Sequence, residues 1–287
     1  PAPGSSDDAN MVEINRNTGL YTGIKRAFTF GSSEGVIEAQ RRNNRIYTAG
    51  RYTYGNNLSG MRGGISCFDL SGNEIWSRMP FFGASEQARN YATDFVFDGD
   101  NMVTIYYGDF IGSDAFTEQF AVSKTDLNGN MSWARLYTLG GFPEVHVKSI
   151  ITVPDGYVIL ATNMRIDQPA SVFLIKMDKN GVVLWARDYR DMFVQQGEKF
   201  LATANDYLYF IASYGTGDIA LAKVRLSDGL VGNGCEFPLD LVVTEGDLPS
   251  VFSPINLIDY PAPITQSLRL ATPHARNLTL TDLCVAA

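Results

Sequence analysis

The chain has 287 residues, 45% of them hydrophobic and 19% charged, and a formal net charge of -8. This composition is that of a folded globular protein rather than a disordered chain. The negative charge and the lack of a lysine/arginine cluster argue against nucleic acid or an anionic membrane surface as a partner. The chain contains no run of about 18 apolar residues, so its sequence predicts no membrane-spanning helix.

One pattern, DxxGxxxWxR, occurs three times and contains all three tryptophans of the chain. Successive tryptophans are 57 and 52 residues apart, a period that predicts repeated small antiparallel sheets. The members of the pattern are Asp69, Gly72, Trp76 and Arg78, then Asp126, Gly129, Trp133 and Arg135, then Asp178, Gly181, Trp185 and Arg187.

In chain order, the first predicted element is partial, because residues 10–26 supply only the last two strands of a four-stranded unit. Four complete units follow. In each, four short segments rich in Val, Ile, Tyr, Phe and Thr are separated by turn residues, which is the signature of an antiparallel meander. The complete units cover about residues 27–78, 79–135, 136–187 and 188–234.

These repeats predict an all-β fold, a β-propeller of four-stranded antiparallel blades within residues 1–235. Four blades are complete, and the start in mid-blade fits either a composite closing blade or an excerpt from a longer protein. Residues 236–287 are rich in proline and alternate in polarity in places, which predicts an extended β segment. That segment either closes the ring or begins an adjoining module.

The connections predict where function lies. Short hairpin turns join the first strand to the second and the third to the fourth, whereas the loops from second to third strand and from unit to unit are long and varied. Both long classes emerge at one edge of the sheets, and aromatic residues concentrated there predict a binding surface. The candidates are Tyr52, Tyr54, Tyr106, Tyr107, Phe110, Phe116 and Phe142.

The repeated motif residues are interpreted as scaffold. A tryptophan at the same place in each blade is predicted to pack between blades. The arginine two residues later lies on the same strand face, where its stem can pack and its head can pair with a carboxylate. The aspartate precedes the turn and is predicted to accept hydrogen bonds from the turn amides.

No catalytic residue, metal ligand or cofactor is predicted. The chain lacks GxSxG, HExxH and Walker sequences, and neither His146 nor His274 has a nucleophile near it in sequence. Asp98 and Asp100 leave calcium as an alternative, although their segment lies where a hairpin turn is required. Cys235 and Cys284 form a possible disulfide in an oxidising compartment.

The three motif copies resemble the tryptophan-docking propellers of the quinoprotein type. They are more similar still to the propeller repeats of very large secreted surface proteins of Bacteroidota, over roughly residues 10–235. The chain departs from quinoprotein dehydrogenases in having fewer blades, an aspartate-to-glycine spacing one residue shorter, and no paired cysteines or metal-binding acidic set. The Bacteroidota resemblance implies export through the type IX system and a role in adhesion, gliding or a surface appendage.

The resulting functional hypothesis is a non-enzymatic extracellular adhesion or assembly module of a bacterial surface protein or appendage. Its partners would be other protein chains or cell-surface glycans. Two alternatives remain open: a secreted carbohydrate-active enzyme with carboxylates gathered over the propeller axis, and a substrate-binding propeller domain of a larger enzyme.

Overall fold

A computed structural model of the chain describes residues 9–14, 17, 21–29, 35–53, 61–82, 89–110, 119–140, 142, 144–163, 171–190, 192–193, 201–214, 218–231, 239–240, 242–247, 250–254 and 258–260. These residues form strands and turns, with no helix among them, and every strand pairing is antiparallel. The all-β prediction is confirmed.

The strands in chain order are β1 (Ala9–Ile14), β2 (Tyr21–Thr29), β3 (Gly35–Arg42), β4 (Arg45–Thr53), β5 (Met61–Asp69), β6 (Glu74–Phe82), β7 (Asn90–Asp98), β8 (Asn101–Gly108), β9 (Gln119–Asp126), β10 (Met131–Leu139), β11 (Val145–Val153), β12 (Gly156–Asn163), β13 (Ser171–Asp178), β14 (Val183–Arg190), β15 (Met192–Phe193), β16 (Leu201–Ala204), β17 (Tyr207–Tyr214), β18 (Asp218–Arg225), β19 (Leu239–Asp240), β20 (Val243–Asp247), β21 (Ser250–Pro254) and β22 (Ile258–Tyr260).

Three consecutive meanders form the body of the fold. Sheet 1 contains β3–β6, sheet 2 contains β7–β10 and sheet 3 contains β11–β14, each with its strands paired in chain order. Sheet 4 follows, with β17 between β18 on one side and β15 and β16 on the other. The N-terminal sheet contains β1, β2 and β22.

Strands β19 to β22, here called the tail, lie along the outer edges of these sheets. β19 pairs with β14, β20 with β10, β21 with β6, and β22 with β2. The tail therefore visits sheets 3, 2 and 1 and then the N-terminal sheet, in the reverse of their sequence order, and makes sheets 1 to 3 five-stranded.

The fourth strands continue past the tryptophan and arginine that mark the predicted end of each unit. β10 runs to Leu139 and β14 to Arg190, because the residues after the motif arginine go on pairing with the third strand. The predicted boundary at residue 27 falls inside β2, so sheet 1 begins later, at Gly35.

Consecutive sheets pack face to face. β7 of sheet 2 contacts β3, β4 and β5 of sheet 1; β11 contacts β7, β8 and β9 of sheet 2; and β16 contacts β11. Each junction buries an apolar cluster, as between sheets 2 and 3, where Val122 and Tyr137 pack with Ile159 and Phe173. A hydrogen bond from backbone to side chain also links these two sheets, since the Asp94 carboxylate accepts the Ile150 N–H at 3.0 Å.

Candidate functional site

The motif tryptophan of each sheet lies against the turn glycine of the next. A Cβ added to Gly129 would lie 3.0 Å from Cε3 of Trp76, and one added to Gly181 would lie 3.1 Å from Cη2 of Trp133. Both glycines have a left-handed backbone, with φ of 81° and 82°. The position therefore requires glycine twice over, for its conformation and for the close approach of the indole ring.

The indole N–H groups bind the same turns. Trp76 donates to the carbonyl of Leu127 at 3.2 Å, and Trp185 donates to the carbonyl of Leu226 at 3.3 Å. Leu226 belongs to a fourth turn, which the DxxGxxxWxR pattern does not include. There Arg225 replaces the aspartate and one residue is inserted, yet Gly229 still lies under Trp185, 2.8 Å from Cζ3 to an added Cβ. The signal in sequence was a glycine shortly after a third strand.

The motif aspartates organise the hairpin turns. Oδ1 of Asp126 accepts the N–H groups of Asn128 and Asn130, both at 2.8 Å, while Oδ2 accepts the Asn130 side-chain amide. Asp69 and Asp178 make the same two backbone contacts in their own turns. Burial alone would raise the pKa of Asp126, but the hydrogen bonds from Asn130 and its neighbours lower it. These carboxylates are engaged in the fold.

The motif arginines pack beside the tryptophans. The Arg78 stem lies 3.2 Å from an added Cβ on Gly129, and Arg135 and Arg187 approach the following glycines in the same way. The Arg135 guanidinium pairs with Glu245 of the tail, Nη1 to Oε1 at 3.4 Å. A carboxylate partner for the motif arginine was predicted, but the pattern could not identify it as Glu245, which lies 110 residues along the chain.

Several predicted binding aromatics are core residues. Tyr106 and Phe110 are 0% and 1% exposed and belong to the cluster between sheets 1 and 2, so the structure removes them from a surface set. Phe142 is half-buried and packs on Phe173 with ring centroids 4.6 Å apart. Tyr54, Phe116, Cys235, Cys284 and His274 lie outside the described residues, as does the side chain of Tyr52.

Tyr107 belongs to a stack of rings at the edge where β8 ends and β11 begins. Its ring centroid lies 5.2 Å from that of Tyr91 and 4.5 Å from that of His146, both tilted by 31°. His146 Nε2 lies 2.7 Å from a Glu144 carboxylate oxygen. Neighbouring rings thus stand against Tyr107 on two sides, and this local packing accounts for its half-buried state.

Burial sets the protonation of this stack. It raises the pKa of Tyr107 to about 12, with a smaller contribution from Tyr91. Burial also lowers the pKa of His146; the nearby Lys148 adds to this effect, while Glu144 opposes it. The pKa of Lys148 is itself lowered by burial. The imidazole is therefore held toward its neutral form, as a packed ring between two sheets.

Asp98 is the centre of an ionic contact between sheets 2 and 3. Oδ2 accepts hydrogen bonds from Lys124 at 3.0 Å and from Tyr157 at 2.6 Å, and Oδ1 accepts one from Lys179 at 2.6 Å. Burial alone would raise the pKa of Asp98, but Lys179, Tyr157 and Lys124 outweigh it and hold the pKa well below its usual range.

This arrangement does not suit calcium. Two ammonium groups and a phenol occupy the Asp98 oxygens that would have to bind the ion. Asp100 points away, 97% exposed and 3.7 Å from Arg42. Among the described residues no cluster of three or more His, Cys, Asp or Glu could hold a metal, and Cys67 is a buried free thiol. The part of the chain that the structure describes also contains no helix long and apolar enough to cross a membrane.

The two ends of the four-sheet array have exposed faces. Ile65, Val122 and Leu174 each lie four residues before the end of the third strand, in sheets 1, 2 and 3, and all are 0% exposed beneath the following sheet. Leu221 has the same position in sheet 4 and is 69% exposed. Ile219, beside it on the same face, is 78% exposed.

The opposite end shows the complementary pattern. In each first strand one residue precedes a β-bulge: Val36 in sheet 1, Ala92 in sheet 2 and Val147 in sheet 3. Ala92 and Val147 are 0% exposed because they pack against the preceding sheet, whereas Val36 is 43% exposed. Leu221 and Val36 are thus exposed at positions that the junctions between sheets 1 to 4 bury.

Comparisons with models of known protein families, with curated proteins and with solved structures gave no match.

Proposed function

We propose that the chain is a non-enzymatic assembly and adhesion module that docks head to tail on a second copy of itself. The observation that carries this proposal is the exposure of Leu221, at a position that is buried in the three preceding sheets. The occupant is a sheet of the same repeat, because such a sheet covers this face at every interior junction. The matching surface on the second copy is the Val36 side of sheet 1.

A lysine position that recurs in sheets 2, 3 and 4 supports the same pairing. Lys124 of sheet 2 donates to Tyr157 of sheet 3, and Lys176 of sheet 3 donates to the Leu226 carbonyl of sheet 4. The corresponding Lys223 of sheet 4 lies over Tyr207 instead, with its ammonium 4.0 Å from the ring centroid. At a docked junction this ammonium would have the turn of the incoming sheet within its reach.

The repeats also bear on the architecture of the protein and on its location. We propose that the sheets are blades of a propeller-type array, which their successive face-to-face packing supports. The resemblance of the DxxGxxxWxR copies to repeats of large Bacteroidota surface proteins supports an extracellular or cell-surface location for this protein. The engagement of the motif aspartates and Asp98 in turns and junctions favours a structural role over catalysis.

The proposed interface joins two different surfaces, and such an interface builds open chains unless its rotation closes a ring. Leu221→Asp removes one surface and Val36→Asp removes the other. By sedimentation velocity, wild-type protein should form a concentration-dependent series of end-to-end oligomers, and each variant alone should lose that series. An equimolar mixture of the two variants should recover a single end-to-end dimer step, because it contains one intact pair of surfaces.

The control is Leu184→Asp, which places the same charge at a 50% exposed leucine of sheet 3 away from both end faces. It should associate as wild type does. A monomeric wild-type protein, or a mixture of the two end variants that forms no dimer, would refute the head-to-tail proposal.

A further inference from the structure

The tail keeps a fixed register with the motif arginines. Its Cα partners are Asp240 opposite Arg187, Asp247 opposite Arg135 and Pro254 opposite Arg78. Each of these tail positions is seven residues after the one before it. One seven-residue step therefore carries the tail from one outer edge to the next, and a carboxylate residue stands opposite the arginine in two sheets of the three.

The tail strand β20 is held by backbone pairing and two side chains. Val243 packs against the cluster between sheets 2 and 3. Glu245 joins the two sheets, because Oε1 lies 3.4 Å from Nη1 of Arg135 and Oε2 accepts the Val183 N–H at 3.0 Å. The edge of sheet 2 thus recognises an apolar residue followed two positions later by a glutamate.

Among the β20 residues whose burial the structure describes, Val243 is half-buried, whereas Thr244, Glu245 and Gly246 are exposed. Val242, just before the strand, is 74% exposed. An added edge strand is the usual means by which a sheet binds an extended peptide, with affinity from main-chain hydrogen bonds and specificity from alternate side chains. A strand with so small a buried surface opens at low free-energy cost, which leaves the edge accessible to another strand.

We propose that the outer edges of β6, β10 and β14 form a peptide-binding surface for an extended acidic segment, and that the tail of a second copy exchanges with the chain's own tail there. The second copy is the fitting occupant because its tail carries the residues and the seven-residue spacing already seen in place. Exchange of identical elements is a low-cost route to association between protomers. It uses a different surface from the head-to-tail docking proposed above.

The test is a disulfide trap across the β10–β20 pair, where Thr138 is opposite Thr244. One protein carries Thr138→Cys and the other Thr244→Cys. Both carry Cys235→Ser, Cys284→Ser and Leu221→Asp, so that these two thiols and end-face docking do not contribute; the third cysteine, Cys67, is buried. The double variant Thr138→Cys/Thr244→Cys in one chain reports the tail on its own sheet.

Exchange predicts an oxidised heterodimer when the two single variants are mixed. The matched control pairs Thr244→Cys with Ser132→Cys, on the same strand but about 20 Å away along it, and it should not cross-link. Glu245→Lys in the donor should lower the heterodimer yield severalfold. Circular dichroism of each variant checks that it is folded.

Each result decides the proposal. A double variant that cross-links within its chain, with no heterodimer in the mixture, would show a tail confined to its own sheets and overturn exchange. Failure of the folded double variant to cross-link would overturn the edge site itself. As a second measurement, a labelled peptide of residues 239–254 should bind the wild-type chain by fluorescence anisotropy, and the same peptide with lysine at the Glu245 position should bind more weakly.

Discussion

The indole nitrogen of Trp76 in sheet 1 donates a hydrogen bond to the Leu127 carbonyl in sheet 2, at 3.2 Å. The turn that receives it is shaped by Asp126 and ends at Gly129, against which the same indole ring packs. Each motif is therefore completed by the motif of the following sheet. Stability in such arrays is the sum of the sheets and the junctions between neighbours, and these side chains form the junctions.

Gly129→Ala should be more destabilising than a change of backbone conformation alone explains. A left-handed residue with a Cβ costs about 1 to 2 kcal/mol, and here that Cβ would also lie 3.0 Å from the Trp76 ring. Gly99→Ala is the matched control, because its φ is also positive, at 55°, and nothing lies within 4 Å of an added Cβ. Urea unfolding of both variants measures the difference; equal losses would contradict tight packing at Gly129.

Trp76→Ala should lower the free energy of unfolding by about 3 to 5 kcal/mol, the usual range for loss of a buried large aromatic. Trp76 is 7% exposed, whereas Trp133 is only half-buried. Trp133→Ala should therefore cost less, although both tryptophans occupy the same motif position. Thermal unfolding followed by calorimetry tests the order, and the reverse order would show that burial does not set the contribution.

Asp98→Asn should destabilise the folded state by about 1.5 to 3 kcal/mol at neutral pH, the range for hydrogen bonds to a charged group. The folded pKa of Asp98 is lower than the ordinary value of about 3.9. Its stabilisation is therefore complete above that value and is lost as the pH falls through the lower, folded pKa. The gap between wild type and Asp98→Asn in urea midpoint should narrow on acidification, and a constant gap would argue against the charged contact.

His146 should make the folded state less stable in mild acid. Its pKa is lowered in the fold, so the unfolded chain takes up the proton first, near the ordinary value of about 6.5. Stability should therefore fall as the pH drops below that value. His146→Gln removes this term, and its melting temperature should decline less between pH 7 and pH 5 than that of wild type. Parallel declines would mean that the imidazole titrates normally.

The sequence was informative where interactions are local. Strand positions follow from short apolar segments between turn residues, and the Asp126 turn follows from hydrogen bonds spanning four residues. The burial of Tyr106 could not be judged in the same way. It depends on which face of β8 meets sheet 1, whereas Tyr107, the next residue, points to the other face and joins the ring stack.

The long-range contacts were beyond the sequence. The sequence places Asp98 at a hairpin turn, with calcium only as an alternative, and pattern could not identify its partner Lys179, which lies 81 residues away. The exposure of Leu221 became meaningful only beside the burial of Leu174, which requires both the strand register and the packing of the next sheet. Pattern alone described the tail as extended β and could not show which edges it pairs with.

The reverse path of the tail orders the folding of this chain. β21 closes a loop of more than a hundred and fifty residues when it pairs with β6, with Pro254 opposite Arg78. Contacts of such long sequence separation form slowly, since the entropy of loop closure is lost before the contacts stabilise anything. Because β19, β20 and β21 can pair only with edges that sheets 1 to 3 supply, we expect these strands to pair last, after the sheets that precede them in the chain have formed.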